Sequence, residues 1–191
     1  MRQRDHYTKK AIQEGYRARS TFKLKQINAK HHIICPGSSV LDLGCWPGGW
    51  LIAAKQISQK GKIVGVDLTK IIPVAGVEFM QGDIFSEETK EKILAYGSFD
   101  AVISDMAPKT SGMHSLDVGR SVALCERALE LALKVLRPGG SFLCKIFQGE
   151  GFNEFLVEVR KHFDFCKSAK PDASRKESRE IYIIAKGFKG A

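Results

Sequence analysis

The sequence predicts an α/β fold: one doubly wound domain whose sheet is mostly parallel, with helices on both faces and an antiparallel last strand. Short apolar runs alternate along the chain with helical segments of about ten residues or more, which is the pattern of a doubly wound sheet. The last two apolar runs are joined by a segment too short for a crossover helix. These two runs should therefore pair as an antiparallel hairpin.

Each predicted element has a local reason. Seven strands are expected at 39–43, 62–67, 77–80, 99–104, 141–147, 163–167 and 180–186, and helices at 17–30, 49–57, 86–95, 122–136 and 152–162. The first helix is basic and amphipathic, and includes Phe22 and Ile27 among its apolar positions. Ser86 is a plausible N-cap for the third helix, and Pro138, followed by two glycines, ends the fourth.

Length and composition restrict the class of protein. A chain of 191 residues suits one domain, 1–191, and its longest apolar stretches are far too short to span a bilayer. The N-terminus has no apolar signal region, so we expect a cytoplasmic protein without a membrane partner. The five cysteines never form a Cys-x-x-Cys pair, which argues against a metal site or a disulfide framework.

The net charge of +9 is concentrated at the two ends of the chain. Residues 1–30 have nine basic and two acidic side chains, and residues 160–191 have nine basic and four acidic ones. The middle is mildly acidic, with twelve basic and fifteen acidic side chains. Basic clusters of this kind are typical of proteins that bind a phosphate backbone, although charge alone fits solubilising termini equally well.

A glycine-rich loop joins the first strand to the second predicted helix and indicates a nucleotide-binding site. Its glycines are Gly44, Gly48 and Gly49, and the bulky Trp46 and Pro47 stand between them. This is not the dinucleotide spacing, and Pro47 has no amide hydrogen to offer a pyrophosphate. A nicotinamide dinucleotide is therefore disfavoured, and a nucleoside with an amino-acid tail fits better.

Acidic residues follow the next two strands, where ligands bind in such sheets. Asp67, after the second strand, can accept both hydroxyls of a ribose. Asp83, after the third strand, can accept the exocyclic amine of adenine. Together with the loop, these acids predict S-adenosylmethionine as the cofactor.

The sequence resembles the FtsJ/RrmJ family of ribose 2′-O-methyltransferases over nearly its whole length. The matching segments are Gly15 to Leu24, Asp42 to Trp50, Gly65 to Leu68, Gln81 to Asp83, Ser104 to Pro108, Cys144 to Phe152, Lys170 to Arg175 and Ser178 to Tyr182. The resemblance implies a Rossmann-like methyltransferase fold with a seven-stranded sheet. It departs from the family at Cys45 and Trp46, where small residues are common.

The resemblance also implies site residues. The catalytic set falls on Lys23, Asp105, Lys145 and Glu180. The cofactor contacts fall on Gly48, Trp50, Asp67, Asp83 and Asp105, and we add their neighbours Gly44, Gly49 and Ile84.

A ribose hydroxyl is a poor nucleophile, so its methylation needs a base and close alignment. We assign the base to Lys145, which lies in an otherwise apolar strand. Lys23 and Glu180 would position this lysine and the ribose, and Asp105 would align the methyl group.

Large-subunit ribosomal RNA of the 23S type is the expected partner, bound by a monomer, and DNA is not expected. The family resemblance implies a uridine of the A-loop as the target, with tRNA or an mRNA cap as alternatives. The residues expected to contact phosphates are Arg17, Arg19, Lys25, Arg175 and Lys176. Residues 1–30 would thus contribute to both RNA binding and catalysis.

Other activities match the sequence less well. A cytosine C5 methyltransferase needs a nucleophilic cysteine, commonly after proline, and the chain has no Pro-Cys pair. An enzyme that methylates exocyclic amines usually has Asp or Asn followed by two prolines and an aromatic residue, whereas Asp105 is followed here by Met106, Ala107 and Pro108. A non-catalytic RNA-binding assembly factor remains a further alternative, although it would be expected to lack Lys145 or Asp67.

Overall fold

Strands and helices alternate throughout the part of the chain that the structure, a computed structural model, describes: residues 11, 13–14, 16–174 and 178–190. The strands are β1 (Val40–Leu43), β2 (Ile63–Asp67), β3 (Glu78–Gln81), β4 (Phe99–Ser104), β5 (Leu136–Phe147), β6 (Phe163–Ala169) and β7 (Glu180–Phe188). The helices that cover them are α1 (Ser20–His31), α2 (Gly49–Ser58), α3 (Glu87–Ala95), α4 (His114–Val135) and α5 (Phe152–His162). No helix among the described residues is both long and apolar enough to cross a membrane.

The seven strands form one sheet in the order β3-β2-β1-β4-β5-β7-β6. The strands from β3 through β5 pair in parallel. The last strand, β7, runs antiparallel to both of its neighbours, β5 and β6. The predicted fold class is therefore confirmed, including the antiparallel last strand and the closing hairpin.

Apolar side chains on the two faces of the sheet form separate cores. On one face, Leu41 and Leu43 pack with residues of α3, α4 and α5 such as Ile93 and Leu131. On the other face, residues such as Ile103 pack with α1 and α2. Because helices cover both faces of the sheet, the central strands are buried on both sides.

The helix boundaries differ from the prediction in two places. The first helix begins at Ser20, so that Arg17 and Arg19 precede it. The fourth helix begins at His114, well before the predicted residue 122. Its first two turns are mostly exposed and polar, so they have no apolar periodicity that could have predicted them. The predicted N-cap is confirmed, because Ser86 Oγ accepts a hydrogen bond from the Thr89 amide.

Three strands, β5, β6 and β7, are also longer than predicted, and β5 is extended the most. β5 begins at Leu136 rather than at Ser141, and Leu136 pairs with Phe99. The register shifts between this pair and the next, which is typical of a bulge. Pro138 and the two glycines after it therefore lie within an irregular strand start, where the sequence indicated only the end of a helix.

Candidate active site

A cavity of about 520 Å³ opens at the carboxyl ends of the parallel strands. Parallel strands bring these ends to the same edge of the sheet, where α/β folds bind ligands. The volume falls within the range usual for small-molecule sites. The residues that line it are Gly44, Trp46, Val66, Asp67, Leu68, Thr69, Gly82, Asp83, Ile84, Phe85, Asp105, Met106, Ala107 and Leu124.

Three carboxylates lie around this cavity, each at or just beyond the end of a strand. Asp67 accepts hydrogen bonds from the amides of Trp46 at 2.9 Å and Thr69 at 2.7 Å. Asp83 accepts one from the amide of Phe85 at 2.9 Å. Backbone amides thus hold two of the three carboxylates in place. A carboxylate oxygen has lone pairs for more than one donor, so these groups can still bind hydroxyl or amine hydrogens.

Of the three glycines of the glycine-rich loop, only Gly44 lines the cavity. A Cβ on Gly44 would overlap the side chain of Met106, so this position admits no side chain. Gly48 and Gly49 face the N-terminal segment instead, where a Cβ would come within 2.9 Å of Arg17 Nη1 and 2.8 Å of Thr21 Oγ1 respectively. These two glycines therefore allow α2 to pack closely on the segment that leads into α1.

Trp50 also points away from the cavity. Its side chain is buried, its ring stacks on Tyr182 at 5.9 Å, and its Nε1 donates to the carbonyl of Ser20 at 2.9 Å. Five of the eight predicted cofactor residues thus line the cavity, namely Gly44, Asp67, Asp83, Ile84 and Asp105. The side chain of Trp50 instead anchors α1 to the sheet.

The four residues of the predicted catalytic set lie together beside the cavity. The Nζ of Lys145 donates to the carbonyl of Asp105 at 2.7 Å and lies 3.2 Å from its carboxylate oxygen Oδ1. The same Nζ is 3.6 Å from Glu180 Oε1, and Lys23 Nζ is 2.9 Å from Glu180 Oε2. Two lysines and two carboxylates thus form one connected group, although Lys23 and Glu180 are far apart in sequence.

Strand geometry explains how this group assembles. Lys145 is directly opposite Tyr182 in the β5–β7 ladder, and Glu180 is two residues before Tyr182. Side chains two residues apart lie on the same face of a strand, so all three lie on the face that α1 covers. Both lysines are almost fully buried there.

The two lysines control the ionisation of Glu180. Burial raises the pKa of this carboxyl, but the ammonium groups of Lys145 and Lys23 outweigh burial and lower the pKa from 4.5 to about 2. Glu180 therefore remains ionised throughout the physiological range. A negative charge held between two lysines orients both of them.

Tyr182 belongs to the same group but was not predicted from the sequence. Its hydroxyl donates to Asp105 Oδ1 at 2.7 Å, and Lys23 Nζ is 5.5 Å from its ring centre. Burial and the neighbouring Asp105 carboxylate raise the pKa of Tyr182 well above 10, so it remains a hydrogen-bond donor. The alternation of side chains along β7 would have placed it beside Glu180, and this signal was available in the sequence.

Asp42, on β1, is a further buried acid that was not assigned a role. Its side chain is inaccessible to solvent, and neither carboxyl oxygen has a hydrogen-bond partner within the described part of the chain. Burial, with a contribution from Asp105 and Asp67, raises the pKa of Asp42 well above its usual range. An unpaired buried carboxyl of this kind is rare away from functional sites.

The predicted RNA contacts differ in how far their side chains are already engaged. Arg17 donates to the carbonyls of Ile72 at 2.5 Å and Pro73 at 2.9 Å. Lys25 donates to the hydroxyl of Tyr16. Arg19 is half-buried and lies just before α1. The other two predicted contacts, Arg175 and Lys176, lie outside the described residues.

Comparison with known proteins gives matches over almost the whole chain. Residues 16–188 match the model of the family described as FtsJ-like methyltransferase. A ribosomal RNA large subunit methyltransferase E from Methanothrix thermoacetophila is 55% identical over 96% of this chain and 72% of its own length. The enzyme of the same name from Desulfatibacillum aliphaticivorans is 49% identical over 98% of this chain and 92% of its own.

A solved structure supports the same relationship. The crystal structure of a protein assigned as a ribosomal RNA methyltransferase from Plasmodium falciparum matches with a TM-score of 0.82 at 26% identity. The match covers 92% of this chain and 100% of the other.

Proposed function

The chain belongs to the FtsJ-like methyltransferase family, and from this premise we propose that it transfers a methyl group from S-adenosylmethionine to a ribose 2′-hydroxyl of large-subunit ribosomal RNA. The main support is one arrangement: a cavity with three carboxylates adjoins a buried group of two lysines and two carboxylates through Asp105. We further propose a uridine of the A-loop as the target. The family resemblance supports this choice over tRNA or an mRNA cap.

The residues around the cavity fit the chemistry of this cofactor. Asp67 and Asp83 offer acceptors for ribose hydroxyls and an adenine amine, and apolar side chains such as Ile84 cover the space between them. The cofactor has a sulfonium and an ammonium group, both of which three carboxylates attract. The same carboxylates repel a pyrophosphate, which argues further against a dinucleotide. When bound, the cofactor supplies an electrophilic methyl group.

Lys145 is proposed as the general base toward the 2′-hydroxyl. Its Nζ lies 3.2 Å from the carboxylate of Asp105 and 3.6 Å from that of Glu180, and these contacts hold it in place. Asp105, held by Tyr182, would align the reacting groups at the boundary between the cavity and the lysines.

Single-turnover methyl transfer to unmodified large ribosomal subunits tests this assignment. Lys145→Ala should lower the rate by at least ~10²-fold while cofactor and RNA affinities stay within about twofold, because a base acts in the transition state. Lys145→Arg should not restore the rate, since a guanidinium keeps its proton. Lys186→Ala, at the other end of β7, is the matched control and should transfer at the wild-type rate.

Two outcomes would contradict parts of the proposal. Near-wild-type transfer by Lys145→Ala would exclude general-base catalysis and leave alignment as the source of the rate. Mapping of 2′-O-methyl groups in ribosomal RNA, tRNA and mRNA caps from cells with and without the gene identifies the target. A site lost from tRNA or an mRNA cap, with ribosomal RNA unchanged, would replace the proposed substrate.

A further inference from the structure

Three large apolar side chains at the cavity are exposed to solvent. Trp46 is 59% exposed, Leu68 65% and Phe85 52%, and all three line the cavity. Leu68 directly follows Asp67, and Phe85 follows Asp83 by two residues. The polar groups of the cavity thus alternate with apolar surface that nothing covers within the described residues.

The backbone fixes the position of Trp46. Its amide donates to Asp67 Oδ2 at 2.9 Å, and the amides of Gly44 and Cys45 both donate to the carbonyl of Val66. The loop is therefore tied to the end of β2 immediately before and at Trp46. The indole accordingly lies on the side of the cavity where Asp67 is found, rather than beside the lysines.

The chain has two tryptophans: Trp46 lies in the glycine-rich loop, and Trp50 lies in the first turn of α2. Trp50 is 3% exposed and packs against Tyr182 in the core, whereas Trp46 faces the cavity. The apolar surface of an indole exposed at a ligand cavity would be buried if a flat ligand packed against it, which would favour binding. Trp46 also stands where the family commonly has a small residue.

We propose that Trp46 packs against the adenosine part of S-adenosylmethionine and so contributes to cofactor affinity; this inference rests on the proposed function. Adenosine has polar edges and a flat aromatic face. Asp67 and Asp83 match the edges, and Trp46 with Leu68 and Phe85 supplies the apolar surface for the face. The hydrogen bond from the Trp46 amide to Asp67 couples the two kinds of contact.

Calorimetry with S-adenosylmethionine and S-adenosylhomocysteine tests the proposal. Trp46→Ala should weaken both ligands by about tenfold, the scale expected for loss of one base–aromatic stack, and Trp46→Phe should recover most of the affinity. Both ligands contain adenosine, so their losses should be equal. Phe165→Leu is the matched control: Phe165 is an exposed aromatic side chain on β6, outside the cavity.

Tryptophan fluorescence supplies a second readout that does not depend on turnover. Binding of S-adenosylhomocysteine should change the emission of the wild type and reduce its quenching by acrylamide. In Trp46→Ala only the buried Trp50 remains, and both responses should disappear. The variant should unfold at the same temperature as the wild type, since the side chain is mostly exposed.

Several results would overturn the inference while leaving the proposed function intact. One is that the wild type binds both ligands and that Trp46→Ala binds each of them with a dissociation constant within twofold of the wild-type value. Another is a loss confined to S-adenosylmethionine, which would place the indole at the methyl group. A loss of RNA affinity with unchanged cofactor affinity would assign Trp46 to the substrate. If the wild type binds neither ligand, the proposed function itself fails.

Discussion

The ion pair between Lys23 and Glu180 joins α1 to the last strand, and its removal tests how the site is held together. The two charged groups are 2.9 Å apart, and their side chains are 5% and 21% exposed. They are separated by 157 residues in sequence. The informative perturbations are Glu180→Gln, Lys23→Met and the double variant, which remove the charges with little change of volume.

The pKa of Glu180 sets the scale of the effect. The fall from 4.5 to about 2 corresponds to about 3 kcal/mol in favour of the carboxylate. Loss of one partner of a buried pair costs about 3–5 kcal/mol, because the other charge is left without compensation. We therefore expect Glu180→Gln to lower the free energy of unfolding by about 3 kcal/mol. Lys23→Met should cost less, since Lys145 still neutralises Glu180.

The effect should depend on pH in a definite direction. The pKa of Glu180 is lower in the folded state than in the unfolded chain, so its contribution is fully present above pH 4.5 and is lost as the pH falls toward about 2. The stability difference between wild type and Glu180→Gln should therefore be constant between about pH 7 and 5 and shrink below that range.

Urea denaturation, followed by far-ultraviolet circular dichroism at a series of pH values, measures these differences. The double variant should cost less than the sum of the two single variants, with a coupling energy of about 1–3 kcal/mol. Glu158→Gln is the control, because its pair with Lys161 is exposed to solvent and should contribute little to stability. Equal stability of wild type and Glu180→Gln at neutral pH would refute the reasoning, as would a difference that persists undiminished at about pH 3.

Three further predictions concern the cavity, the core and the RNA. Asp67→Ala should weaken S-adenosylmethionine binding by about 1.5–3 kcal/mol, because a charge-assisted pair to two hydroxyls is lost, and unchanged affinity by calorimetry would reject that contact. Asp42→Asn should stabilise the protein near neutral pH. The pKa of Asp42 is raised in the folded state, so the wild type loses stability as the pH rises above about 4. If the stability difference between the variant and the wild type is no larger at about pH 7 than at about pH 4, this prediction is wrong. Replacing Arg19 and Lys25 together by Glu should weaken RNA binding and flatten its dependence on salt, and an unaltered salt slope would leave these residues a solubilising role only.

The rule that ligands bind at the carboxyl ends of parallel strands made much of the cavity predictable. Asp67, Asp83 and Asp105 end or follow predicted strands, and the sheet brings all three to one cavity. The direction of side chains in the glycine-rich loop was not predictable in this way. Period-based patterns do not apply to a loop, so nothing in the sequence indicated that Trp46 would line the cavity, whereas Trp50 lies in the first turn of α2 and packs in the core.

The lysine and carboxylate group shows a different limit. Lys145 was recognisable as a charged residue in an apolar strand, but Lys23 taken alone reads as an exposed residue of a basic helix. Its burial depends on α1 packing against the β5–β7 pair, a contact between the two ends of the chain. Only the family resemblance indicated it, because local sequence carries no information about such a long-range contact.

The cavity and the two ends of the chain have charges of opposite sign, which suits two ligands of opposite charge. The chain has a net charge of +9, yet the ionisable side chains that line the cavity are three carboxylates, Asp67, Asp83 and Asp105. An acidic cavity favours a cationic cofactor and disfavours entry of an RNA phosphate, whereas the basic ends of the chain favour RNA. The cavity meets the group of buried lysines, which includes Lys23 of the basic N-terminal segment, where Lys145 contacts Asp105. A cofactor and an RNA chain selected by opposite fields would thus approach each other at this contact, which is where the reacting methyl and hydroxyl groups need to meet.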